Sequence, residues 1–182
     1  FFIFAGASAE FALNKAVDWL YFTGRLPADP LGRLFSTVSY ARQIVFSEKE
    51  AANRAIDSIA AIHSAVEKKR GARIPDWAYR DVLFMLIDYS IRAFETMERE
   101  LSRAEKQEVF YIFTRVGNRM GIPDLPQTFE TWVGMRQGHL TQDLENSHFT
   151  KALYKQYRKH LGLVRYNLLL EAQIMVVPNK VR

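Results

Sequence analysis

The sequence contains no cysteine in its 182 residues. That absence excludes disulfides, thiolate zinc sites, iron–sulfur clusters and cysteine nucleophiles together, so any metal must rest on histidine, carboxylate or tyrosine. Glycine-rich phosphate loops and the HExxH, GxSxG and EF-hand patterns are absent as well, which removes the common signatures of nucleotide, zinc-protease, serine-hydrolase and calcium chemistry. No segment alternates with period two between turn signals, and no repeat or low-complexity run occurs. Long apolar runs are missing too: residues 1–5 are too short to span a membrane, and Glu10, Lys15 and Asp18 interrupt the next stretch. The opening FFIFAGASAE has no initiator methionine and reads as the continuation of a longer protein, so the compartment and any preceding anchor are left open.

What is present points to one globular domain over residues 1–182. Apolar residues make up 48% of the chain and aromatics 13%, with thirteen Phe and eight Tyr. That supply implies a bulky core or a roomy apolar pocket. The net charge of +5 is uneven, because residues 151–182 hold seven Lys or Arg against Glu171 alone. A basic end of this kind suits phospholipid headgroups, hence peripheral membrane contact, or simply a solvated helix face. Nucleic-acid binding is not expected, since no recognition-helix or single-strand signature accompanies the charge.

Periodicity and punctuation predict an all-α fold around a buried central helix. Residues 8–23 read as a helix capped by Ser8 and stopped by Gly24, with Leu13, Ala16, Val17 and Leu20 as its buried stripe. RLPADP is a proline-punctuated turn, and Asp29-Pro30 opens a helix to about Phe46. Ser47 to Glu50 has the form of a capping box for the next helix, which ends at Gly71. Pro75-Asp76 opens the long central helix to about Leu101, apolar on every side from Val82 to Ile87. Asp88 on that helix needs a partner if buried, and Arg33 or Arg92 are the simplest candidates. A second capping box, Ser102 to Glu105, opens another helix. Thr128 caps a short one around Trp132, HLTQDLENS is loop-like, and two helices over 149–161 and 163–177 break near Gly162.

Two adjacent stripes carry unusual polar residues. One places Arg33, Thr37, Tyr40 and Ile44 on a common helix face, and the other does the same for Ala52, Ile56, Ile59, His63 and Val66. A guanidinium, a hydroxyl and an imidazole on core-facing stripes could hold a buried, anionic, metal-containing cofactor such as haem. Haem needs an axial imidazole, a cation for its propionates and an apolar slot. His63 also reads as a satisfied core histidine, and Arg33 as the partner of Asp29 or Asp88. His139, His148 and His160 lie in polar surroundings and read as surface residues.

The pattern DPxGRLxxT, followed by an apolar helix with xxIHxxV, a long buried helix and a proline-bounded loop before a Trp-containing helix, resembles the haem-dependent MpaB/latex-clearing-protein oxygenase family. The resemblance runs from about Gly6 to Arg182. It implies haem b on His63 as proximal metal ligand, with Arg33 and Thr37 in the polar cluster by the haem as binding and catalytic residues. Where latex-clearing proteins have the lysine of RxxKT, this chain has Ser36, which implies an open or water-filled distal position. Of the family's Tyr-x-Ala-x-Asp element, Trp77, Tyr79 and Asp81 keep the spacing and Asp81 the residue type. The family's distal carboxylate falls by position on Asp18 or Glu10, with Asp18 taken as the catalytic candidate. The implied activity is oxidative C=C cleavage of a hydrophobic, isoprenoid-type substrate by O₂, with Phe84, Met85 and Trp132 excluding water. The rival expectation is a cofactor-free helical interaction module whose basic C-terminal segment docks to a membrane or a partner.

Overall fold

A computed structural model describes residues 1–22, 24 and 28–182, with the side chains of residues 30, 31 and 33–35 outside the described set. Among these residues there are eight helices and no strand: α1 (Phe2–Leu13), α2 (Asp18–Phe22), α3 (Pro30–Phe46), α4 (Lys49–Arg70), α5 (Asp76–Met97), α6 (Arg103–Arg119), α7 (Phe129–Gln142) and α8 (His148–Val176). The all-α expectation holds. Residues 25–27 of the proline-punctuated turn lie outside the described residues.

Local chemistry sets several of these boundaries. Asp29 accepts the Gly32 N–H at 2.8 Å, with Pro30 as the first residue of α3. Ser102 and Glu105 bond each other's backbone N–H groups in a formed capping box. Gly71, at φ +69°, closes α4 in the left-handed conformation that glycine adopts most readily. Gly162, at φ +70°, bends α8 where two helices were expected to part.

Four expectations need correction. The first helix begins at Phe2, and Ser8 lies inside it, donating to the Ala5 carbonyl at 2.8 Å. It then stops at Asn14, whose side-chain oxygen takes the Ala16 N–H at 2.8 Å while the backbone bridges to Leu144. No capping box forms at α4, because its N-cap is Glu48 and makes no side-chain cap bond. The central helix ends at Met97, and Val82 on it is exposed. HLTQ continues α7 rather than forming a loop.

The core is built on both sides of α5. Leu83, Phe84, Ile87 and Ile91 pack with Phe110, Leu125 and Trp132 from α6, α7 and the loop between them. Met85 and Tyr89 pack with Ala9, Leu140, Val176 and Val177 on the other side. α1 comes close to α5 because Gly6 has no side chain, and a Cβ there would clash with the edge of the Tyr89 ring. The α3–α4 pair packs beside this core, touching α8 through α3 and α6 through α4.

Candidate functional site

Only Ser47 and Glu48 separate α3 from α4, and the two helices pack against each other as a hairpin. Arg33 and His63 therefore stand at nearly equal distances along the chain from the turn, at about 1.5 Å of rise per residue. The Arg33 side chain lies outside the described residues, and Thr37, one turn nearer the connection, is exposed. His63 is half-buried, and its ring meets Tyr79 edge-on with centroids 5.3 Å apart.

Polar contacts at three residues, Asp57, Glu67 and Arg70, fix α4 around His63. Arg119 of α6 donates to Asp57 at 2.7 Å. Glu67 accepts the Ile74 N–H at 2.8 Å and the Tyr79 hydroxyl at 3.3 Å. Burial, reinforced by the Glu67 charge, holds the Tyr79 hydroxyl well above its ordinary pKa and keeps it a donor. Arg70 pairs with Asp18 at 2.6 Å and stacks over Trp19 at 3.9 Å. Asp18 thus reaches α4 seven residues beyond His63, about 10 Å along the axis.

A cavity of about 170 Å³ opens beside His63, with Ala60, Glu67, Arg73, Tyr79 and Met120 among its lining. Phe84, Met85 and Trp132 do not line it; they belong to the core on α5 and α7. Nor does any described lining residue come from α3. At this volume the cavity is smaller than the roughly 300–1,000 Å³ of a typical small-molecule pocket. Its lining supplies an imidazole of the kind that ligates haem iron, with an aromatic ring at its edge; the Arg33 and Thr37 positions lie on the other helix of the hairpin, outside the lining described. A wider surface groove of about 530 Å³ lies elsewhere, between the end of α5 and the C-terminal segment, lined by Arg92, Glu95 and Arg182 among others.

The larger polar assembly lies in the core, and its key member was missed from sequence. Arg136 on α7 donates to both oxygens of Glu10 on α1, at 2.6 Å to Oε2, and to Asp88 Oδ2 through Nε at 3.1 Å and Nη2 at 3.0 Å. Tyr89 donates to Glu10 at 2.7 Å, and Arg92 to Asp88 at 2.8 Å. Arg92 is thus one of the partners expected for Asp88. Burial works against the Arg136 charge, yet Glu10 and Asp88 hold its proton even more firmly than usual. Burial and the neighbouring Glu10 likewise push the Tyr89 hydroxyl far up.

His139, expected at the surface, is buried beside this assembly. Its Nδ1 lies 2.9 Å from Asp81 Oδ1 and 3.3 Å from Asp143 Oδ2. Asn14 donates to the other Asp81 oxygen. A signal was available, since Trp132, Arg136 and Leu140 recur every four residues on one face of α7, with His139 beside them.

The fold and site define an all-α domain with a half-buried imidazole at a cavity edge, on a helical hairpin beside the core. The chain belongs to the family described as ER-bound oxygenase mpaB/B'/Rubber oxygenase, catalytic domain, whose model matches residues 3–178. That description points to an oxygenase, and so to an enzyme acting on a small molecule with O₂. No curated protein matches the chain, and no solved structure matches it. Among the described residues no helix is long and apolar enough to cross a membrane.

Proposed function

We propose that this chain is a haem b-dependent oxygenase that uses O₂ to cleave a C=C bond of a hydrophobic, isoprenoid-type substrate. The observation that supports this reading best is the half-buried His63 on the α3–α4 hairpin, in a chain matching an oxygenase family almost end to end. Haem, when bound, would supply the iron at which O₂ is activated. His63 would be its protein ligand, oriented by the edge of Tyr79. Arg33 would pair with a propionate, since a guanidinium matches a carboxylate in two-armed geometry. Thr37 would add a hydroxyl one turn along α3. Asp18, held by Arg70, would be the carboxylate that accepts or returns a proton. Cleavage of one C=C bond into two carbonyls consumes both atoms of O₂ and needs no further reductant.

The test is a visible spectrum with iron analysis on purified protein supplied with haem. Wild type should show a Soret band that His63→Ala loses, and an unchanged band in the variant would remove His63 from the ligand role. Wild type that stays colourless and iron-free would favour the second reading, a cofactor-free interaction module. One observation favours that reading specifically: beyond Gly162, α8 exposes Leu163, Val164, Leu168, Ile174 and Met175. With Lys155, Arg158, Lys159 and Arg165 nearby in the chain, such a face suits peripheral contact with an anionic bilayer.

A further inference from the structure

Three carboxylates, Glu10, Asp81 and Asp88, are buried in the core together with one buried guanidinium, Arg136. Arg136 spends its hydrogen bonds on Glu10 and Asp88, and comes no closer to Asp81 than 3.9 Å. Asp81, on α5, is fully buried, and only its Oδ2 is satisfied, by Asn14. Its Oδ1 has no hydrogen-bond partner, and neither does the buried Nδ1 of His139 that faces it at 2.9 Å. Asp143, the C-cap of α7, brings a third donor atom to 3.3 Å from the same nitrogen. An ion bound at about 2.0–2.2 Å by each ligand separates neighbouring ligands by about 3.0–3.4 Å, the shorter value for octahedral and the longer for tetrahedral geometry. His139 Nδ1 and Asp81 Oδ1 face each other at such a separation without an aligned hydrogen bond, beside three buried carboxylates and one buried guanidinium, and an ion between them would satisfy both.

We propose that Asp81, His139 and Asp143 form a site for a divalent transition-metal cation, separate from the haem ligand assigned to His63. One imidazole with two carboxylates is a mixed nitrogen–oxygen donor set of the kind that takes Zn²⁺ or Mn²⁺, and the imidazole argues against Ca²⁺ or Mg²⁺. His139 and Asp143 lie four residues apart at the end of α7, and Asp81 projects from α5. The ion therefore ties the end of α7 to the central helix, beside the Asn14 break that ends α1. It also supplies the positive charge that Arg136 does not bring to Asp81.

The experiment uses the full chain, freed of metal with a chelator and without added haem, titrated in turn with Zn²⁺ and Mn²⁺ while uptake and melting temperature are measured. Wild type and His63→Ala should each bind one equivalent of at least one of the two ions and melt at a higher temperature when loaded. Asp143→Asn, at the least buried of the three positions, should weaken that binding by more than about tenfold and lose the rise in melting temperature. X-ray absorption on loaded wild type should show one imidazole among oxygen ligands, a readout that does not depend on any variant folding. Uptake of neither ion by wild type overturns the site, as does equal uptake by wild type and Asp143→Asn, which would place the ion on surface histidines. Loss of binding in His63→Ala alone would assign the metal to the haem-ligand position and also overturn it.

Discussion

Arg136 on α7 and Glu10 on α1 form a buried, two-armed ion pair at the centre of the domain, between residues 126 positions apart in the chain. Neither charge is exposed beyond a few per cent, and the same guanidinium serves Asp88. Arg136→Met leaves buried Glu10 without its cation and Asp88 with Arg92 alone, and should destabilise the fold by about 3–5 kcal/mol. Urea unfolding measures this. Adding Glu10→Gln should recover part of the loss, because the orphaned Glu10 charge is then gone. A second substitution that worsens stability further would show that the pair is not coupled as described.

The approach of α1 to α5 depends on Gly6. Gly6→Ala places a methyl where the Tyr89 ring lies, and should lower stability by about 1–3 kcal/mol through overpacking. Thermal melting gives the answer, and an unchanged melting temperature would mean that the Tyr89 ring can move aside.

Acid stability should carry the mark of Glu105. Hydrogen bonding from Arg99, and then from the Ser102 backbone and side chain, lowers its pKa from 4.5 to about 2. Its folded-state value is below its unfolded one, so its contribution is fully present above about pH 4.5 and is lost as pH falls towards 2. A carboxyl titration followed by NMR should find Glu105 near 2. Glu105→Gln should flatten the dependence of stability on pH across that window.

On the proposed haem reading, Ser36 decides what faces the iron from α3. Ser36→Lys restores the amine that the resembling latex-clearing proteins carry at this position, and should change the visible spectrum of haem-loaded protein. Ser36→Gln, which offers no amine, should leave the spectrum as it is. Identical spectra for Ser36→Lys and wild type would separate α3 from the iron.

Much of the architecture was legible because its signals are local. Asp29-Pro30 and the Ser102–Glu105 box lie within a few residues of the boundaries they set, and both boundaries fell as expected. The break at Asn14 was not legible, because its partners Asp81 and Leu144 are 67 and 130 positions away in sequence. His63 was read as core-facing from a stripe on α4, but that helix packs beside the core, and only Ala55 and Ile56 of it are buried. Arg136 and His139 were passed over because charged and polar residues are by default placed outside. Here the partners that admit them to the interior come from α1 and α5.

The ion pair of Glu10 with Arg136 also sets a schedule for synthesis. At about 5–20 residues per second, a ribosome needs roughly 6–25 s to pass from the first partner to the second. Through that interval α1, twelve residues of mostly apolar sequence, has neither Arg136 nor the α8 surface it later packs against. Until then α1 has only the α5 surface, around Met85 and Tyr89, to pack against. A codon-level pause between α5 and α7 would lengthen the time during which Glu10 waits without its cation.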